Sequence, residues 1–68
     1  MDKTFQISLE AARVNAKIAT QEEAGKLIGV HRDTVSRWES GKTRPGIKYM
    51  PIIERVYGIS YDRIDFSL

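Results

Sequence analysis

Cysteine is absent from this chain of 68 residues, and His31 is its only histidine. No disulfide framework or structural zinc site can be assembled from such a set, and Ser-His or Cys-His nucleophilic chemistry has little to draw on. Nor does a cluster of carboxylates offer a substitute site. The expectation is a protein that is not an enzyme and takes no cofactor, metal ion or small-molecule substrate. Long apolar runs are also missing: charged residues make up 29% of the chain and break every hydrophobic stretch well short of the roughly 20 residues a membrane span needs. Met1–Ile7 lacks the continuous apolar segment of a signal peptide or anchor, so a cytoplasmic location without membrane contact is expected.

The composition that remains is ordinary for a globular protein, with 41% hydrophobic residues, too many for intrinsic disorder. The length suits one domain, residues 1–68, of which residues 1–7 are expected to be less ordered. A chain this short buries only about 60% of the surface it exposes when unfolded. Without disulfide or metal it depends on efficient local packing, which favours helices. No strand-like alternation, internal repeat or linker argues otherwise.

A net charge of +2 says little about partners, but its distribution says more. Between Lys26 and Lys48 stand Lys26, Arg32, Arg37, Lys42, Arg44 and Lys48 against only Asp33 and Glu39, an excess of four positive charges. The rest of the chain is net negative by two. One face can thus attract a polyanion such as nucleic acid, although a solvated basic surface would look the same at this level.

Helix signals recur along the chain. Ser8 precedes Leu9, Ala12 and Ala16, with Glu10 in the first turn and Lys17 in the last, which predicts a helix over about Leu9–Lys17. Thr20 and Glu23 match a capping box for a second helix, Gln21–Ile28, that Gly29 ends. A third helix is predicted over Arg32–Ser40, where Val35 and Trp38 share a face and Gly41 supplies the stop. After the polar loop Lys42–Gly46, a fourth helix begins near Lys48. It tolerates Pro51 in its first turn, turns Met50, Ile53 and Val56 or Tyr57 inward, and ends at Gly58. Ser60 is placed to cap a last short turn through Asp62 and Ile64. The predicted fold is all-α, a compact bundle of five short helices.

Counting from Gln21, small or apolar residues fall at Ala24, Gly25, Ile28, Val30, Val35 and Trp38, with Gly29 in the turn. Two helices that cross steeply after a tight turn need a small residue at the crossing and apolar residues on their inward faces. Gly25 costs roughly 1 kcal/mol against alanine inside a helix, so its presence points to close approach. A plain helical hairpin would share this spacing.

Thr20-Gln21-Glu22-Glu23-Ala24, Gly29-Val30, Thr34-Val35-Ser36-Arg37-Trp38-Glu39-Ser40-Gly41-Lys42 and Pro45 resemble the helix-turn-helix domain of phage repressors and Cro proteins, the XRE family. The likeness continues through Ile47, Ile53 and Tyr57-Gly58-Ile59-Ser60, and covers about Leu9 to Ile64, with the motif itself near residues 21–40. It implies a five-helix, lambda-repressor-like domain that binds double-stranded operator DNA, usually as a homodimer, with its third helix in the major groove. A transcriptional regulator of bacterial or phage origin, a repressor, is the expected function. The chain departs from the pattern twice. The segment after Arg13 is one residue longer and lacks the usual Gly-Leu pair, and His31 stands where Ser or Thr normally caps the third helix. His31 there is a weak cap, a phosphate contact or an exposed residue without a special role.

At 100° per residue, Arg32, Asp33, Ser36, Arg37 and Ser40 share one arc of the third helix, while Thr34, Val35 and Trp38 share the other. Trp38 is read as core. On the outer arc, Arg32 and Arg37 are suited to fork onto guanine, Asp33 to accept from cytosine or brace an arginine, and Ser36 to meet either kind of base. Gln21 matches a family position that contacts phosphate, and Lys42, Thr43 and Arg44 match the loop that grips the backbone and sets register. Arg13 resembles the family residue that bridges to Glu39. The competing possibility is an antitoxin-like or adaptor module that binds a protein; Ile64, Phe66 and Leu68 offer an apolar patch that would serve either dimerisation or such a partner.

Overall fold

The computed structural model describes residues 5–66. Strand β1 (Ile7–Ser8) leads directly into helix α1 (Leu9–Asn15), followed by α2 (Gln21–Ile28), α3 (Arg32–Ser40), a 3-10 turn (Ile47–Tyr49) that runs into α4 (Met50–Tyr57), a second 3-10 turn (Tyr61–Arg63) and strand β2 (Ile64–Asp65). The described residues therefore hold four α-helices, not five. In place of the expected fifth helix stand one 3-10 turn and a strand. The two strands pair in parallel, Ile7 beside Ile64 and Ser8 beside Asp65. Gln6 extends the link by donating from Nε2 to the carbonyl of Asp62 at 3.0 Å. A two-residue strand has no alternation to detect, which is why no period in the sequence announced it.

Capping explains most of the helix boundaries. Ser8 Oγ accepts from the Ala11 amide and Thr20 Oγ1 from the Glu23 amide, each at 3.0 Å. The last 3-10 turn is capped from elsewhere: Ser60 Oγ donates to Asp62 Oδ1, whereas Glu54 Oε2 accepts the Tyr61 amide at 2.9 Å. Pro51 sits in the first turn of α4, where a missing donor costs little.

Helix α1 stops at Asn15, two residues before the expected end. Ala16 is its C-cap and Lys17 adopts a left-handed φ of 67°. This reversal brings Ile18 into the core, from a linker that has no glycine. Left-handed backbone costs a side-chain-bearing residue about 1–2 kcal/mol, and glycine escapes most of that cost at some expense in unfolded-state entropy. Lys17→Gly should therefore raise folding stability by up to about 1 kcal/mol, measured by urea denaturation.

The core is formed by Leu9, Ala12, Ile18, Ala24, Ile28, Val35, Trp38, Ile53, Tyr57 and Ile64. Ile64 is 3% exposed and Phe66 packs against this cluster, so the apolar patch expected at the C-terminus is core rather than surface; Leu68 lies outside the described residues. The reason is the parallel pairing, which turns Ile64 inward beside Ile7. Among the described residues no helix is long and apolar enough to cross a membrane.

Candidate nucleic-acid interface

Helices α2 and α3 are joined by Gly29, Val30 and His31. Gly29 takes the left-handed conformation at φ 97°, and the carbonyl of Gly25 accepts both the Gly29 amide at 2.7 Å and the Val30 amide at 2.9 Å. The turn folds back so closely that a β-carbon on Gly25 would lie 2.5 Å from the Val30 carbonyl oxygen. Gly25→Ala should accordingly lower stability by about 1–2 kcal/mol, since overpacking against backbone outweighs the roughly 1 kcal/mol that alanine gains in helix propensity. Thermal unfolding of the variant measures the balance.

His31 caps α3: its Nδ1 accepts the Asp33 amide at 3.0 Å, so of the three roles left open by the sequence the structure shows a cap. Nδ1 also lies 3.6 Å from the Asp33 carboxylate. Beyond this cap, α3 divides as its periodicity requires. Val35 and Trp38 are buried and Thr34 is half-buried, while Arg32, Asp33, Arg37 and Ser40 are exposed and Ser36 is partly so. Trp38 is core and packs on Tyr49 with ring centroids 5.4 Å apart. Asp33, Ser36, Arg37, Ser40 and Lys42 line one open groove of about 330 Å³ along the outer face. The structure thus brings three of the four base-contact candidates and one backbone-contact candidate to a single surface; Arg32 lies at its N-terminal end.

The loop after α3 is tied to the helix it leaves. The Lys42 and Thr43 amides both donate to the Arg37 carbonyl, at 3.0 and 3.4 Å, and Pro45 is buried while Lys42, Thr43 and Arg44 stay exposed. A buried anchor with a short leash holds three exposed side chains near the C-terminal end of α3. Lys48 follows, its ammonium 5.2 Å from the Tyr49 ring centroid, a cation–π contact.

Behind the outer face lies a buried polar network. Arg13 and Glu39 are each 6% exposed. Arg13 Nε donates to Glu39 Oε2 at 2.8 Å, its second terminal nitrogen reaches Oε1 at 3.4 Å, and the remaining terminal nitrogen donates to the Ile18 carbonyl at 3.0 Å. The hydrogen bond to Glu39 raises the guanidinium above its ordinary pKa, against the opposing effect of burial. Gln21 Nε2 completes the network by donating to Glu39 Oε1 at 2.8 Å. Only the nitrogen end of the amide can face a carboxylate, which fixes its orientation. Gln21, expected to contact phosphate from the surface, is thus half-buried and joined to α3 through Glu39. The sequence carried no signal for this contact, because it links side chains on two helices.

Tyr57 lies beside this pair, and its hydroxyl has no hydrogen-bond partner among the described residues. Burial, reinforced by the negative charge of Glu39, pushes the phenol up from 10.0 to about 12. A raised phenol pKa means that the fold favours the neutral form. The associated stability is complete below about pH 10 and is lost as pH rises towards about 12. Tyr57→Phe should remove that alkaline loss, and at pH 7 it should be neutral to stabilising by about 1 kcal/mol because an unsatisfied buried hydroxyl is removed. Denaturant titrations at pH 7 and pH 11 check both effects.

Pairing within the protein sharpens the surface charge. Of the two carboxylates between Lys26 and Lys48, Glu39 is buried against Arg13, which leaves Asp33 as the exposed anion among six exposed cations. A model of the helix-turn-helix family matches residues 9–64. No curated protein and no solved structure matches the chain.

Proposed function

Because the chain belongs to the helix-turn-helix family of the phage repressor and Cro (XRE) type, a family of DNA-binding regulators, we propose that it represses transcription by reading operator DNA with α3 in the major groove. The observation that carries this reading is the outer face of α3: Arg32, Asp33, Ser36 and Arg37 project from a helix whose other side is locked into the core by Val35 and Trp38. Arg32 and Arg37 offer bidentate donors to guanine, Ser36 adapts to either base type, and Asp33 accepts from cytosine or orients an arginine. Lys42, Thr43 and Arg44 hold phosphates and fix the register of α3 without reading sequence. Gln21 contributes the second N–H of its amide to a phosphate at the start of α2 while its first remains on Glu39. The protein acts by binding, with no chemical step.

A domain of this size reads only a few base pairs. We place it on a bacterial or phage operator as a homodimer, with half-sites about one helical turn, roughly 34 Å, apart. The experiment is selection of duplexes from a random pool followed by affinity measurement across salt concentrations. A recovered inverted repeat, with affinity that falls steeply as salt rises, supports the reading; binding that ignores both sequence and salt contradicts it.

A further inference from the structure

Helix α3 spans nine residues, or about 13 Å at 1.5 Å per residue. The major groove is about 12 Å wide, so a helix seated in it has a phosphate strand on either flank. The loop Lys42–Arg44 serves one end. At the other end, Glu22, Lys26, Val30, His31 and Arg32 line a separate open groove of about 400 Å³. We propose that Lys26 and His31 form a second phosphate-binding pair there, which holds the strand across the major groove from the one held by Lys42 and Arg44. This inference rests on the DNA-binding reading above and adds to its Gln21 and Lys42–Arg44 contacts a site on the last turn of α2 and the inter-helix turn.

The chemistry of the two side chains suits the role. Lys26 is exposed, in the last turn of α2, and makes no ion pair among the described residues. His31 is held by its cap: with the Nδ1 lone pair accepting the Asp33 amide, the neutral ring carries its proton on Nε2. Its side chain is 69% exposed, so that N–H is a donor with fixed identity at the rim of the groove. The carboxylates nearby do not compete for it in the same way. Asp33 lies against Nδ1, on the other side of the ring, and Glu22 stands one turn before Lys26 on α2, where an exposed pair is worth only a few tenths of a kcal/mol. A phosphate entering this groove meets an ammonium and an oriented imidazole N–H.

The test uses the full chain and a duplex bearing its selected operator, with neutral methylphosphonate linkages placed one at a time. Lys26→Gln should weaken matched and scrambled duplexes alike and reduce the slope of log K against log salt by roughly 0.9. Its affinity should thus fall about three- to fourfold less than the wild type's between 50 and 200 mM salt. His31→Asn keeps a capping side chain but loses the Nε2 donor. It should lower affinity about tenfold, the loss of one hydrogen bond to a charged acceptor. One methylphosphonate, on the strand opposite the Lys42 contact, should abolish the effect of Lys26→Gln and leave that of Lys42→Gln intact. An unchanged slope for Lys26→Gln, or mapping of Lys26 and Lys42 to the same strand, would overturn the second clamp while leaving DNA binding standing. Wild-type protein that binds no duplex at 50 mM salt would overturn the DNA-binding reading itself, and the clamp with it.

Discussion

Glu39→Ala is expected to lower folding stability by about 3–5 kcal/mol, the usual consequence of stripping one partner from a buried ion pair. Arg13 would be left with a nearly inaccessible guanidinium whose Nε and one terminal nitrogen have lost their acceptor, and Gln21 would lose the carboxylate that ties α2 to α3. A domain of this length is stabilised by only about 3–10 kcal/mol in all, so the variant should sit close to unfolding at room temperature. Removing both partners should do less harm than the two single losses together predict, because no uncompensated charge remains. A double-mutant cycle by denaturant unfolding should therefore give a coupling larger than the roughly 0.2–1 kcal/mol of exposed pairs. Additive single effects would show that Arg13 and Glu39 do not depend on each other.

The second large effect separates reading DNA from holding it. Arg37→Ala or Arg32→Ala should cost about 1–3 kcal/mol on the preferred operator and flatten the preference at one or two base pairs. Both arginines are exposed and neither supports the core, so folding stability should hardly change. Lys42→Ala and Arg44→Ala should instead weaken all duplexes alike and take about one unit each from the salt slope. Asp33→Ala has a different expectation: where the carboxylate braces an arginine rather than meeting cytosine, the substitution should blur specificity without abolishing binding. Affinities on matched and scrambled duplexes at several salt concentrations distinguish these patterns. Arginine variants of α3 that behave like the loop variants would show that α3 is not the reading helix.

The sequence was most legible where the structure is decided locally. Both limits of α2, Gln21–Ile28, and the end of α3 at Ser40 follow from Thr20, Gly29 and Gly41, residues whose capping preferences act over a few positions. The two faces of α3 follow from helical periodicity alone, and so does the burial of Trp38. What escaped detection is one unusual local conformation and a pairing between residues distant in the chain. The early end of α1 rests on a lysine in a conformation that glycine usually supplies, and the parallel bridge of Ile7 to Ile64 joins opposite ends of the domain. That bridge is why Ile64 is core and not a docking surface. At the site, the Arg13–Glu39 pair was legible through the family resemblance, whereas the Gln21 hydrogen bond to Glu39 was not, because it depends on how α2 and α3 meet.

The most direct test of the account is a nuclear magnetic resonance titration of the isotope-labelled protein with its selected operator duplex, followed residue by residue. The largest changes are expected at Arg32, Asp33, Ser36 and Arg37, with Lys42–Arg44 and the start of α2 next and the β1–β2 bridge nearly silent. Changes concentrated on α4 and the β1–β2 bridge, with the outer face of α3 undisturbed, would contradict it.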